Sequence, residues 1–162
     1  MQIIKDRQII EDSWQVLPAE AELPTSGDFF VGLSLWNDAN TRHGRNGKLS
    51  LVLRPGDDLS KVTNLDQAAI IAIDFPKFTD GRGYSLARLL RDRYGYKGEL
   101  RAVGNVLRDQ LLYMQRCGFT SFALQPGKDI QGALAAFDEL SVRYQADAND
   151  AQPLYRRVAR GV

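Results

Sequence analysis

Between Ile70 and Phe122 the chain alternates strand and helix patterns in an order that few folds can accommodate. Ala68 to Ile73 is an almost unbroken apolar run, the pattern of a strand covered on both faces. Tyr84, Ala87, Leu90 and Tyr94 then fall on a single helical face, which Gly95 closes. Glu99 to Val103 reads as the next strand. Leu107, Leu111 and Met114 outline a second helix, closed by Gly118. Phe119 to Leu124 is a third strand, ended by Pro126 and Gly127, and Ile130, Leu134, Phe137, Ser141 and Tyr144 trace a last helix. Strand–helix crossovers are right-handed almost without exception, so these strands are expected to be parallel with their loops on one rim. The expected fold is α/β, with consecutive parallel βα units in an open or half-barrel-like sheet.

The rest of the chain is less regular. Ile3-Ile4 and Ile9-Ile10 flank Lys5-Asp6-Arg7-Gln8 and predict an amino-terminal β-hairpin, which Trp14 to Leu17 can continue. Pro18 to Asp28 reads as a surface connection, Phe29 to Leu33 as a strand, and Asp38 to Lys48 as a loop. Leu49 to Leu53 is a good strand, stopped by Arg54-Pro55-Gly56. Asp57-Asp58 can start a short helix through Val62. A single domain is expected over 1–144, with its βα core at 68–144. Residues 145–162 read as a polar tail, with a basic docking segment at Leu154 to Val158 as the sharper reading.

Composition removes several functions. The chain has 162 residues, the size of one domain. Its 21 basic and 20 acidic side chains nearly cancel, so there is no general pull toward nucleic acid. Cys117 is the only cysteine and His43 the only histidine. One thiol supplies neither an internal disulfide nor an iron–sulfur cluster, and no metal site is expected. Charge enters too early for a secretory signal and no apolar run approaches a membrane span. The expectation is a soluble cytoplasmic protein. Cys117 reads as a packed thiol, His43 as a solvated loop residue, and Tyr94 and Tyr96 as packing groups with exposed hydroxyls.

The rim after the strands holds the candidate site. The first loop offers Asp74, Lys77, Thr79, Asp80, Gly81, Arg82, Gly83, Tyr84 and Ser85. The second offers Gly104, Asn105, Arg108, Asp109 and Gln110; the third offers Gln125 and Gly127. Helix N-termini near Tyr84 and Val106 add positive ends, and with Lys77, Arg82 and Arg108 they suit an oxyanion. Lys77, Arg82 and Arg108 are expected to face one concave patch, with Asp74 and Asn105 near its floor. Asp80 or Asp109 can equally serve as helix caps, Arg82 as a surface partner of Asp80, and the glycines as turn formers. No Walker loop follows Gly83, and the third glycine of the dinucleotide fingerprint is missing. Asp74 is the candidate acid or base.

Three stretches carry a family resemblance: Asp74 to Ser85, Arg93 to Gly104, and Leu107 to Gln110 with Arg116 to Phe119. In these the chain resembles a bacterial family of domains of unknown function whose genes commonly neighbour assimilatory sulfite reductase. Members are labelled as oxidoreductases of sulfite reduction. The match is strong from about Ile70 to Phe122, and Ile3 to Asp6 with Asp12 to Trp14 also fit. Where many members carry Asp, this chain has Asn105. The resemblance implies a place in sulfur assimilation, with sulfite reductase or a related protein as partner. Six-electron chemistry needs a cofactor, and the sequence has no haem, iron–sulfur or nucleotide signature, so an accessory role is favoured over catalysis. The cofactor is left open. Two other readings remain. One is a small enzyme acting on a phosphorylated or sulfated metabolite, with Asp74 as acid or base and Lys77 and Arg82 as clamps. The other is an interaction module using Trp14, Phe29, Phe30 and Trp36.

Overall fold

The two isoleucine pairs at the amino terminus form strands β1 (Gln2–Lys5) and β2 (Gln8–Glu11), paired antiparallel with Ile3 opposite Ile10. Asp6 and Arg7 both take positive φ at the turn, 51° and 62°. Twisted two-residue hairpins require that geometry, and here no glycine supplies it. The computed structural model describes residues 1–77 and 80–141. Further strands are β3 (Gln15–Val16), β4 (Phe29–Val31), β5 (Leu49–Leu53), β6 (Ile70–Phe75), β7 (Glu99–Gly104) and β8 (Ser121–Phe122). The helices are α1 (Leu33–Asn37), α2 (Arg82–Asp92), α3 (Leu111–Cys117) and α4 (Ile130–Ser141).

All eight strands join one sheet in the order β2-β1-β8-β7-β6-β5-β4-β3. From β3 to β8 the strands are parallel and lie in chain order; β1 runs antiparallel to both β2 and β8. The edge strands β2 and β3 are joined only through Asp12, Ser13 and Trp14. That link spans at most about 14 Å. A flat eight-stranded sheet is about 34 Å across. The sheet must therefore curl, and it forms a half-barrel.

Curling divides each strand between two apolar environments. Leu51, Ile71 and Leu100 share a register and pack outward under the helices. Leu86, Ala87 and Leu90 are the buried face of α2. Each fully buried leucine contributes ~1.5–3 kcal/mol. Val52, Ala72 and Val103 point the other way and meet Ile3, Phe30 and Ala123 inside the curl. The continuous apolar run of β6 is thus covered by helices on one face and by the sheet itself on the other.

Several expectations need correction. Trp14 to Leu17 does not extend the hairpin; β3 lies at the opposite edge, parallel to β4. The parallel run has six strands rather than three. Leu33 begins α1 instead of ending a strand, which places Trp36 in the core with its indole N–H donating to Thr63 O at 2.8 Å. Helix α2 stops at Asp92, leaving Tyr94 exposed beyond it. Tyr96 is buried, and its hydroxyl donates to Ala68 O at 2.8 Å. Burial pushes that hydroxyl up to about 12. A short 3-10 turn, Arg108–Gln110, precedes α3. Gly118 ends α3 as expected, at φ 115°, and a Cβ there would lie 2.7 Å from Arg91 Cγ. Cys117 is buried in the core and His43 is exposed in a loop. The end of the last predicted helix at Tyr144 and the tail at 145–162 lie outside the described residues.

Candidate functional site

The strand register sets what faces the mouth of the half-barrel. Val52, Ala72, Arg101 and Ser121 form one inner layer. The layer above, toward the strands' carboxyl ends, contains Asp74 beside Val103. Arg54, two residues beyond Val52, continues that inward alternation. This is the end of a parallel sheet where ligands bind.

Asp74 is half-buried at this mouth. Loss of water pushes its carboxyl above the ordinary aspartate value, while the nearby charge of Arg54 pulls the other way. Arg54 reaches past the end of β4 and donates to Leu17 O at 2.7 Å. Gly104 makes room for the Asp74 carboxylate: its φ is 88°, and any side chain there would collide with Asp74 Oδ1. The Asn105 backbone N–H donates to Phe75 O at 2.7 Å and ties the loop after β7 to the end of β6.

Beside these groups lies a cleft of about 320 Å³, walled by Trp14, Phe30, Val103 and Leu124, with Arg101 at its base. The Trp14 and Phe30 rings stack with centroids 4.8 Å apart. Arg101 is 3% exposed and fully engaged. It donates to Asp12 Oδ2 at 2.8 Å, Glu99 Oε2 at 3.3 Å and Ser121 Oγ at 3.2 Å, and its guanidinium lies 5.4 Å from the Phe30 ring centre. Lys5 also contacts Glu99, at 3.3 Å. The arginine therefore pins the link after the hairpin to β7, with its charge balanced by Asp12 and Glu99.

The residues singled out in the sequence distribute around this mouth. Asp74, Gly104 and Asn105 are brought together. Asp80 and Arg82 form a two-pronged pair at 3.0 and 2.8 Å, and Asp80 Oδ1 also accepts the Arg82 backbone N–H at 3.0 Å. Asp80 thus occupies the α2 N-terminus itself, and the Arg82 hydrogen bonds hold its carboxyl down at about 2. Lys77 is exposed and adds to the positive field at Asp80. Arg82 leans toward Gly56, in the loop after β5. Gly81 faces open space, whereas Gly83 presses on Phe75 and Ile73. Tyr84 meets Phe75 at a tilt and Tyr113 edge-on, and burial raises its hydroxyl pKa. Ser85 is exposed. Arg108 and Asp109 line a separate cleft of about 280 Å³ with Lys128 and Asp129, at the start of α4. Gln110 Oε1 accepts the Leu107 N–H at 3.4 Å. Gln125 lines the main cleft and Gly127 lies in the exposed loop beyond it. Thr79 lies outside the described residues.

Sequence reasoning missed Arg54, Arg101, Trp14 and Phe30 as mouth residues. Arg101 did leave a signal: it is a charge inside the apolar strand Leu100 to Val103. Such a residue is buried only with partners.

Among the described residues no group of three or more His, Cys, Asp or Glu side chains converges to hold a metal ion. Nor is any helix among them long and apolar enough to cross a membrane. The profile of a bacterial protein family of unknown function, DUF934, matches residues 50–155. The match takes in Arg54, Asp74 and Arg101 and leaves out Asp12, Trp14 and Phe30. No curated protein matches the chain.

Proposed function

The chain belongs to this bacterial family of unknown function, and on that footing we propose that it is an accessory binding protein of assimilatory sulfite reduction, acting through the mouth of its half-barrel. The observation that carries the reading is an aromatic-walled cleft at the mouth, lined by Arg101 and by Gly104, with Asp74 and the charge of Arg54 next to Gly104. Binding sites typically combine such apolar walls with a few placed polar groups. The resemblance of the chain to proteins encoded beside sulfite reductase supports the pathway. The partner is then the reductase or another sulfur-assimilation protein, and a small oxyanion at the loop rim is the candidate ligand. The test is affinity capture of the tagged chain from cells grown on sulfate, together with a deletion strain. Recovery of the reductase, lost on Trp14→Ala, supports the reading. Normal growth of the deletion strain on sulfate with no reductase recovered refutes it.

One observation favours a second reading, a small acid–base enzyme acting on a phosphorylated or sulfated metabolite. A carboxyl raised by burial and set against a guanidinium is suited to moving a proton. Turnover lost in Asp74→Asn with substrate affinity kept would select this reading. Absence of turnover with any phosphate or sulfate ester would leave the binding role alone.

A further inference from the structure

The edge strand β3 carries one residue whose backbone groups the sheet does not use. The Gln15 and Leu17 N–H groups donate to Asp28 O and Phe30 O at 3.0 and 2.9 Å, so both residues turn their backbone toward β4. A ladder alternates, and Val16 between them therefore turns its N–H and C=O to the free side, where no strand follows. The positions above and below it are spent. The Trp14 N–H donates to Asp12 Oδ2 at 3.0 Å, and Pro18 has no N–H while its carbonyl accepts from Ala21 at 3.1 Å. Val16 is thus a single open and exposed position on this edge.

Its side chain faces the mouth. Val16 is in register with Phe30, which points inside the curl, and it lines the same cleft. Residues in register across a ladder point to one face of the sheet. A residue paired with the free side of Val16 therefore directs its own side chain into that cleft. The entry is apolar and open to solvent: Met1, Val16 and Pro126 are exposed, and Trp14 and Leu124 are half-buried. The one charged side chain lining the cleft, Arg101, is already balanced by Asp12 and Glu99. A charged guest would find no counter-charge there, whereas an uncharged apolar one needs none.

We propose that Val16 and this cleft dock an extended segment of the partner protein, one residue of which pairs with the Val16 backbone and sets a leucine- or phenylalanine-like side chain against Trp14 and Leu124. Such docking takes affinity from main-chain hydrogen bonds at a sheet edge and specificity from the pocket beside it. The inference rests on the accessory reading above and states how the partner is held.

Nuclear magnetic resonance titration of the full chain tests it, with short blocked peptides carrying a central leucine, phenylalanine, aspartate or lysine between threonines. The leucine and phenylalanine peptides should bind saturably and move the Val16 amide and Trp14 indole signals. The aspartate and lysine peptides should bind at least ~10-fold more weakly, since each brings an unpaired charge. Val16→Pro removes the free N–H without touching the ladder and should cut the affinity at least ~10-fold, whereas Val16→Thr should keep it. A leucine peptide methylated at its backbone amides should fail to bind, and it carries the test if Val16→Pro does not fold. Three results would each overturn the proposal: no saturable binding of the leucine or phenylalanine peptide, equal binding of the aspartate peptide, or undiminished binding of the methylated peptide. A dimer of the free chain that Val16→Pro dissolves would overturn it too, because a second copy would then occupy the edge. Reductase capture lost on Trp14→Ala but kept in Val16→Pro overturns it and leaves the accessory reading standing. A leucine peptide held through Val16, with no reductase recovered and normal growth on sulfate, upholds the docking edge and refutes that reading.

Discussion

Replacing Arg101 by leucine should destabilise the domain by ~3–5 kcal/mol, the range for removing one partner of a buried ion pair. The structure places the value within that range. Arg101 is almost wholly buried, and Asp12 and Glu99 are 7% and 9% exposed at their side chains. Glu99 keeps Lys5 at 3.3 Å, so it is only partly abandoned. Asp12 keeps just the Trp14 N–H, at 3.0 Å, and bears most of the loss. The Ser121 hydroxyl loses its donor as well. Leucine retains much of the packing against Phe30, so the measured change reports charge rather than cavity. Urea unfolding followed by circular dichroism gives the number, with a fall in Tm of about 10 °C as its thermal counterpart. The partner variant Asp12→Ala completes a cycle, and the two losses should be strongly non-additive because they break the same contact. A loss below about 1 kcal/mol for Arg101→Leu, or additive losses, would refute the reasoning, because the pair would then behave like an exposed one.

Three further outcomes are expected. Asp74→Asn should raise Tm at pH 7, because a carboxyl whose folded pKa is raised destabilises the fold above that pKa. The advantage should shrink as the pH falls through the raised value toward about 4, where the unfolded group also protonates; a gap that widens on acidification contradicts it. Gly83→Ala should cost about 1–3 kcal/mol, since its Cβ would lie 2.6 Å from the Phe75 ring in a packed core. A neutral result by urea unfolding would mean that the α2–sheet contact is looser than described. Arg7→Gly should stabilise by about 1 kcal/mol, by relieving a left-handed backbone at the hairpin turn. A loss instead would show that the Phe137 and Gln115 contacts of Arg7 outweigh the strain.

The βα units were legible because their signals are local. The spacing of Tyr84, Ala87 and Leu90 and the αL glycine at Gly118 need only a few neighbours to interpret. The curl was legible only as one of two options, an open or a half-barrel-like sheet, and the contacts that make it were not. Gln15 and Val16 pair with Phe29 and Phe30 across a connection rich in turn residues, and two residues carry no strand period. The unbroken apolar run of β6 says that both faces are covered without saying by what. Asp74 and Asn105 could be placed at the strand ends from topology alone. Arg101 could not be assigned a partner, because Asp12 lies 89 residues away and meets it only once the sheet has curled.

The hairpin's place in the sheet also has a consequence for synthesis. β1 and β2 leave the ribosome before the rest of the sheet, and their turn can form at once. Yet β1 docks on β8, with Ile4 opposite Phe122. At 5–20 residues per second, that partner is made on the order of ten seconds later. Throughout that interval Ile3 and Ile4 have no sheet to enter, and the link through Asp12 has no Arg101 to hold it. The hairpin therefore waits for β8 before it is secured, and its apolar face needs protection while the chain is being made.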